Sequence, residues 1–273
     1  KWHMTTLPET GEQSDIRVYI DDNTVYILLD LSGLPLHKRG YRVDGGIAPL
    51  RETTAVVLLQ QMMWRRKTPL HDPFCGSGTI AIEATLYAFN VAPGFGRRFA
   101  LENLPFYDES RAKIIRAEEA ANIRTDVEVR ITGSDIDSRA IARSTQNAEY
   151  ACVMAGRALK SIGISAHIPR PDFIQSDFAN LHAPYDSGLL LCNPPYGERL
   201  GNEEEAAELY KNMGSILWSE FPNWDIGVIT SNTSFQTSFG HNANHVKALK
   251  AGNLDTSFYI YNRIKSEPKK TKF

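Results

Sequence analysis

The stretch "DPFCGSGTI", residues 72–80, decides the fold of this chain. It follows a short strand-like run that ends at His71 and Asp72, and an apolar helical pattern runs from about Thr79 to Asn90. A strand, a glycine-containing turn and a helix in this order are typical of the nucleotide-binding units of α/β proteins. The stretch therefore predicts a ligand-binding loop at the carboxyl end of a strand.

The residues of this loop narrow the class of ligand. A phosphate-binding P-loop needs a lysine after its second glycine, and none follows Gly78, so an NTPase is disfavoured. The dinucleotide fingerprint accepts an alanine at its third position, where Ala81 stands, so an NAD-dependent oxidoreductase stays open on this loop alone. Gly76 and Gly78 allow a sharp turn and close approach of a ligand, whereas the Asp72 carboxylate repels a pyrophosphate. That carboxylate favours a cation, such as the amino group and sulfonium of S-adenosylmethionine; the plain alternative is a tight structural turn.

Strand-like and helical patterns alternate along the rest of the chain. The strand-like runs lie at 127–135, 173–178, 188–193 and 225–232, and the helical patterns lie at 49–66, 138–156 and about 203–219. This alternation predicts a parallel sheet with helices on both faces. Two further strand-like runs around Gly252 and Asn253 predict an antiparallel hairpin at one edge.

The first fifty residues predict a separate hairpin and a connection. Residues 15–31 alternate apolar and polar positions on either side of Asp21, Asp22 and Asn23, which indicates two strands joined by a tight turn. A lone hairpin is only marginally stable, so it either packs on the main domain or is the remnant of a further one. Residues 33–50 are rich in Gly, Pro and basic residues without a period, which is typical of a linker or lid.

Composition restricts the class of protein. The 273 residues are 42% hydrophobic with a net charge of −2, so a packed core is expected and no global positive field draws the chain to nucleic acid. No apolar run approaches the roughly 20 residues that span a bilayer. Cys75, Cys152 and Cys192 lack paired spacing, which favours buried thiols in a reducing, cytoplasmic compartment. The histidines show no metal-ligand spacing with these cysteines, so no metal is expected.

Acidic residues follow two later strands. Asp135 ends the strand-like run at 127–135, where a carboxylate can bind ribose hydroxyls, although it could instead cap a helix, as could Asp137 or Ser138. Asp177 could bond an adenine amino group and Phe178 could lie against the ring. The alternative for this pair is a turn beside a core aromatic.

The stretch "LLLCNPPYG", residues 189–197, is the most informative in the chain. A buried strand ends at Asn193, and two prolines fix the following backbone while removing two donors. The Asn193 amide oxygen and a nearby carbonyl are acceptors suited to the two hydrogens of an exocyclic amino group. Tyr196 supplies a face on which a base can stack. An inert strand stop is the alternative.

Three motifs carry a family resemblance. "DPFCGSGT", "SDID" and "NPPYGERL" together resemble the class I S-adenosylmethionine-dependent methyltransferases that modify exocyclic nitrogens, specifically the RNA guanine-N2 group with an N-terminal THUMP RNA-binding domain. The resemblance extends from about Asp15 to Tyr261 and includes "LDLSGLPLHKRGYR" and "APLRETTA". It implies a doubly wound α/β fold with a mostly parallel seven-stranded sheet, an antiparallel C-terminal hairpin and a small N-terminal β-hairpin. The implied divisions are a THUMP remnant at 1–33, a linker at 34–48, the catalytic domain at 49–265 and a disordered tail at 266–273.

The same resemblance implies the roles of individual residues. The catalytic motif that holds the target base is implied to be Asn193, Pro194, Pro195 and Tyr196. The residues implied to bind S-adenosylmethionine are Asp72, Phe74, Cys75, Gly76, Gly78, Thr79, Asp135, Ile136, Asp177, Phe178 and Asn193. The sulfonium already activates the methyl group, so orientation of the amino nitrogen is the main requirement and no general base is obligatory.

The predicted substrate is RNA, most simply ribosomal RNA, and short basic clusters are the candidates to hold it. These clusters lie beside aromatic residues, which is typical of single-stranded nucleic-acid binding, and their basic members are Lys38, Arg39, Arg42, Arg65, Arg66, Arg97 and Arg98. Solvated surface is the alternative for any one cluster. Two other functions stay open: adenine-N6 methylation of DNA or RNA, and a non-catalytic nucleic-acid-binding module.

Overall fold

The computed structural model describes residues 14–43, 49–195, 203–252 and 254–263. Two strands, β1 (Ile16–Asp21) and β2 (Thr24–Leu29), form an antiparallel hairpin whose two-residue loop places Asp22 in the left-handed region at φ 52°. The predicted N-terminal hairpin is confirmed. Every residue of both strands is exposed, including Ile20 at 68% and Ile27 at 73%, so the described residues cover neither face of it.

A second sheet has seven strands. They are β3 (Leu70–Asp72), β4 (Ile131–Asp135), β5 (Asp172–Gln175), β6 (Gly188–Cys192), β7 (Trp224–Thr230), β8 (His245–Ala251) and β9 (Leu254–Tyr261). Their spatial order is β5-β4-β3-β6-β7-β9-β8. The first five pair in parallel, and β9 pairs antiparallel with both β7 and β8. The predicted mostly parallel sheet with an antiparallel C-terminal hairpin at its edge is confirmed.

Helices cover both faces of this sheet. They are α1 (Glu52–Gln61), α2 (Thr79–Ala88), α3 (Glu109–Ala121), α4 (Ser138–Ser161), α5 (Glu203–Glu220) and α6 (Phe235–Phe239). Strand β6 shows why two layers are needed: Leu189 and Leu191 pack in one core with α1, α2 and α4, whereas Leu190 and Cys192 pack in a second core with α5 and α6. Successive side chains of a strand point to opposite faces, so an unbroken apolar run requires cover on both.

Two predicted elements have different bounds. The helix predicted over 49–66 ends at Gln61 because the chain turns at Met63, which has a φ of 49°. The strand predicted over 127–135 begins only at Ile131, because its neighbour β3 begins only at Leu70. The residue before Leu70 is Pro69, which has no N–H to donate to the sheet. In the part of the chain that the structure describes, no helix combines the length and apolarity needed to cross a bilayer.

Candidate functional site

The candidate site lies at the carboxyl ends of β3, β4, β5 and β6. The chain leaves β3 toward β4 and β5 on one side, and β6 and β7 lie on the other side of β3. The connections thus reverse direction between β3 and β6, and open α/β sheets bind ligands at such a switch point. Asp72 ends β3 and Asp135 ends β4, while Asn193 directly follows β6. The fold brings these three residues, one from each motif, to one edge.

Asp72 is a buried carboxyl group, only 1% exposed. Its Oδ1 accepts a hydrogen bond from the Phe74 N–H at 3.2 Å. The pKa of Asp72 is raised to about 8, chiefly by burial; the Phe74 N–H opposes this rise and the nearby Asp135 carboxylate adds to it. A positive group placed here would favour the ionised form. This is the property expected of a residue that receives a cation.

Asp135 ties the loop to β4. Its Oδ2 accepts from the Gly76 N–H at 2.9 Å, and its Oδ1 accepts from the Asp137 N–H at 3.0 Å. It does not cap helix α4, because Asp137 is the N-cap and accepts from the Arg139 N–H. The half-buried Asp135 carboxylate keeps further lone pairs for a diol. Ile136, 66% exposed beside it, offers an apolar surface at the same edge.

The two glycines of the loop have different surroundings. Gly76 has a φ of 53°, and a methyl group built on it would meet none of the described residues within 4 Å, which leaves room for a ligand to approach the backbone. Gly78, at φ 83°, would instead place a methyl group 2.9 Å from Ser144 Cβ and 3.0 Å from the Phe173 ring. Close packing of α2 against α4 therefore requires Gly78 irrespective of a ligand, and the ligand role predicted for it stays a prediction.

Two aromatic rings stack beside the loop. Phe74 and Phe178 lie 5.0 Å apart with an interplanar angle of 14°, and Phe178 is only 7% exposed. Phe178 belongs to the core, as the alternative interpretation had it, and the half-buried Phe74 has the more accessible ring of the pair. Asp177 is exposed and its Oδ1 caps the short 3-10 turn at Phe178–Asn180 by accepting from the Ala179 N–H.

The end of β6 presents the second motif. Asn193 is half-buried, and its side-chain amide has no hydrogen-bond partner among the described residues. Pro194 is buried, and the Pro195 carbonyl accepts a hydrogen bond from the Tyr210 hydroxyl at 3.2 Å. An unpaired amide on a rigid backbone segment is available to a ligand. Tyr196 lies outside the described residues.

Arg42 supports the cofactor loop, a role that the sequence did not indicate. Its guanidinium donates to Glu52 Oε1 at 3.0 Å, Thr79 Oγ1 at 2.9 Å, Ser77 Oγ at 3.3 Å and the Leu50 carbonyl at 3.1 Å. Because the Arg42 guanidinium is engaged in these contacts within the protein, it is not available to RNA, and its predicted role as an RNA contact is wrong. The Thr79 hydroxyl accepts from Arg42, so the side chain of Thr79 supports the loop and does not offer a free donor to the cofactor.

Arg39 and Arg97 are likewise structural. Each is 8% exposed. Arg39 lies 3.6 Å from Glu83, whose other oxygen accepts from the Tyr41 hydroxyl at 3.0 Å. The Arg97 guanidinium donates to the carbonyl oxygens of Ser32, Leu34, Pro35 and Lys38. The prediction that these two arginines contact RNA is wrong, because a buried guanidinium engaged with the protein cannot reach a phosphate.

The other four basic residues predicted to contact RNA lie in two different regions. Arg65 and Arg66 precede β3, so they lie toward the amino ends of the strands and away from the candidate site, and Arg66 stacks on Tyr87 at 4.7 Å. Lys38 and Arg98 are exposed, the latter in an ion pair with Glu102 at 3.1 Å.

The three cysteines are buried and free, as predicted. Burial raises the pKa of each thiol, to about 12 for Cys152. Cys75 joins the loop to β4 through its N–H, which donates to the Ser134 carbonyl. Protonated, packed thiols suit neither nucleophilic attack nor metal binding. Within the described ranges, no group of three or more His, Cys, Asp or Glu side chains could hold a metal ion.

Comparisons with known proteins agree with this geometry. The sequence model of the family described as "UPF0020: RMKL-like, methyltransferase domain" matches residues 39–260. The structure of SMU.472 in complex with SAH superposes with a TM-score of 0.80 at 29% identity, covering 95% of this chain and 64% of that one.

Two curated relatives are longer than this chain. It is 36% identical over 266 residues to "Putative RNA methyltransferase YpsC" of Bacillus subtilis (strain 168), covering 97% of this chain and 65% of that protein. It is 36% identical over 257 residues to "Ribosomal RNA large subunit methyltransferase K/L" of Shewanella sp. (strain W3-18-1), covering 92% of this chain and 34% of that protein. The chain thus spans less than two thirds of either relative.

Proposed function

We propose that this chain, which belongs to the RMKL-like methyltransferase domain family, transfers a methyl group from S-adenosylmethionine to the N2 amino group of a guanine in RNA. One observation carries the proposal: the Asn193 amide, which has no hydrogen-bond partner among the described residues, lies at the same sheet edge as a glycine loop that no other described residue covers at Gly76. This arrangement at the switch point of the sheet supports the proposal that Asn193 accepts from the target amino group while the loop binds the cofactor.

S-adenosylmethionine is the cofactor, and the residues of the site fit it. Gly76 leaves room for the methionine part, and the Asp72 carboxyl group receives the positive charge. Asp135 has lone pairs for the ribose hydroxyls, and the apolar surfaces of Ile136 and Phe74 suit the adenine ring. The cofactor supplies an activated methyl group; the protein binds it and orients the acceptor.

Asn193 acts on the target amino group. Its side-chain oxygen accepts a hydrogen bond from that group, which keeps the nitrogen lone pair from delocalising into the ring and directs it toward the methyl group. The proton can leave after the nitrogen has become positively charged, so the site needs no obligatory general base. Tyr196 is proposed to stack on the base, which has to be flipped out if it lies in a helix.

RNA is proposed as the substrate because both curated relatives are named as RNA methyltransferases, one of them as a methyltransferase of large-subunit ribosomal RNA. Lys38 and Arg98 are the predicted cations that stay exposed near the linker, and we propose them as phosphate contacts. A cytoplasmic location fits this substrate. The exposed hairpin β1–β2 is proposed to be part of a THUMP domain, whose remaining strands would cover it.

The reaction product tests the proposal directly. Ribosomal RNA from a strain that lacks the gene is incubated with the protein and isotope-labelled S-adenosylmethionine, then digested and analysed by nucleoside mass spectrometry. Formation of labelled N2-methylguanosine supports the proposal. Labelled N6-methyladenosine would instead establish the adenine alternative, because the Asn193 oxygen suits either amino group. Cofactor binding without any product from the full-length protein would favour a non-catalytic module.

Cofactor affinity is expected to rise with pH up to about 8. In the free protein burial holds the pKa of Asp72 at about 8, whereas a bound cation favours the carboxylate, so binding releases a proton below this pH. One linked proton strengthens binding by at most about tenfold per pH unit. Titration calorimetry from pH 6 to 8, in two buffers of different ionisation enthalpy, measures this proton release.

The Asp72→Asn variant is the control for this pH dependence. It cannot release the proton, so its affinity should change with pH only through the amino group of the cofactor itself. Equal proton release by the variant and the wild type would contradict the role of Asp72. S-adenosylhomocysteine keeps the amino group but lacks the sulfonium charge. The pH dependence of its affinity therefore shows whether Asp72 interacts with the amino group or with the sulfonium.

A further inference from the structure

A buried tyrosine connects the proposed base-binding segment to the next strand of the sheet. Tyr210 lies on α5, is fully buried, and donates its hydroxyl hydrogen bond to the Pro195 carbonyl at 3.2 Å. The same hydroxyl lies 3.5 Å from Oγ1 of Thr230, the last residue of β7, which is also fully buried. The Tyr210 ring is fixed by an edge contact with Phe235 at 4.9 Å.

The direction of these hydrogen bonds follows from the donors available. A tyrosine hydroxyl carries one hydrogen, so while Tyr210 donates to the Pro195 carbonyl, the Thr230 hydroxyl is the donor in the contact between the two side chains. Thr230 Oγ1 in turn accepts from the Asn232 N–H at 3.1 Å. The result is one chain from the Asn232 N–H through two hydroxyl groups to the Pro195 carbonyl. Hydrogen bonds in such a chain polarise and strengthen one another.

The Pro195 carbonyl belongs to the peptide bond that joins Pro195 to Tyr196. Prolines fix φ but leave ψ free, so the orientation of this peptide plane needs another constraint. Tyr210 supplies it from outside the motif. The carbonyl so held belongs to the residue that follows the Asn193-Pro194 pair, so the hydrogen bond acts on the backbone of the proposed base-binding motif.

We infer that Tyr210 is a positioning residue for methyl transfer: its hydroxyl holds the Pro195 carbonyl, and with it the Asn193-Pro194-Pro195 backbone, so that the target amino group is held in line with the methyl group. The inference rests on the proposed function. It assigns to Tyr210 no contact with substrate or cofactor. A misplacement of about 1 Å at a reacting centre costs about a hundredfold in rate, so a lost anchor acts mainly on turnover.

The test is Tyr210→Phe, which removes the hydroxyl and keeps the ring. We expect kcat to fall about tenfold or more, with the KM for S-adenosylmethionine unchanged within about twofold. Tyr261→Phe is the matched control, because this buried tyrosine donates to the His241 carbonyl at 3.3 Å and makes no hydrogen bond to the described part of the motif. Both variants lose one buried hydroxyl, so a merely structural role would lower their melting temperatures alike and leave both kcat values unchanged.

Thr230→Val provides a second measurement and a safeguard if Tyr210→Phe folds poorly. It should also lower kcat, but by less than Tyr210→Phe. The double variant should be no slower than Tyr210→Phe, because both substitutions act through the same chain of hydrogen bonds. A kcat for Tyr210→Phe within twofold of wild type, or fully additive effects in the double variant, would overturn the inference. If the wild type forms no N-methylated nucleoside, the proposed function itself fails; if it does and Tyr210→Phe matches Tyr261→Phe, only the inference fails.

Discussion

Asn193→Ala is expected to lower kcat by about 10²–10³-fold, the usual effect of removing one hydrogen-bond partner of a transition state. The side-chain amide of Asn193 is half-buried at the end of β6 and has no other partner in the described part of the chain, so its oxygen is free for the target amino group. Alanine removes this acceptor while the two prolines keep the backbone rigid. Single-turnover methylation of RNA, with the cofactor affinity measured separately, checks this result.

The loss should be in turnover far more than in cofactor affinity. Asn122→Ala, on the exposed carboxyl end of α3, is the matched control and should keep full activity. An Asn193→Ala variant that kept full turnover would exclude this residue from the reaction. A variant that lost cofactor binding to the same extent as turnover would show that Asn193 serves the cofactor and not the base.

Arg42→Ala is expected to lower both the stability of the protein and its affinity for S-adenosylmethionine. The Arg42–Glu52 pair is 3.0 Å long with side chains 17% and 4% exposed, so alanine leaves a buried carboxylate unpaired. Removing one partner of such a pair costs about 3 kcal/mol of unfolding free energy. Since Arg42 also donates to Ser77 and Thr79, the cofactor loop loses its support, and affinity should fall at least about tenfold.

Urea unfolding and cofactor titration check both parts of this prediction. Lys113→Ala is the control, because its ion pair with Glu109 is 73% and 70% exposed and should contribute little. Arg42→Lys keeps the charge but cannot make all four contacts, so it should recover part of the stability and less of the affinity. Unchanged cofactor affinity in Arg42→Ala would separate this arginine from the loop.

The sequence predicted the sheet and the motifs at its edge because both depend on local pattern. Strand β6 is an unbroken apolar run that ends in prolines, and the loop after β3 has glycines where the backbone must turn. Such signals lie within ten residues, and parallel topology brings the carboxyl ends of the strands together. The position of Asp72, Asp135 and Asn193 at one edge follows from these two facts.

What the sequence could not predict depends on contacts between distant segments. Arg39, Arg42 and Arg97 look like a basic surface when read along the chain, but they pair with groups that are 10 to 65 residues away. The sequence carries no signal for such pairing, since the one-letter sequence does not distinguish a buried arginine from an exposed one. The same holds for Tyr210, whose partner carbonyl lies 15 residues earlier.

The docking of residues 39–43 bears on where the smallest independently folding unit begins. Tyr41 is 1% exposed within the main core, and Arg39 and Arg42 neutralise the buried carboxyl groups of Glu83 and Glu52. A truncated chain that started at residue 49 would keep both acids and lose both cations. The family match also starts at residue 39, so the segment that the family model covers includes both of these cations.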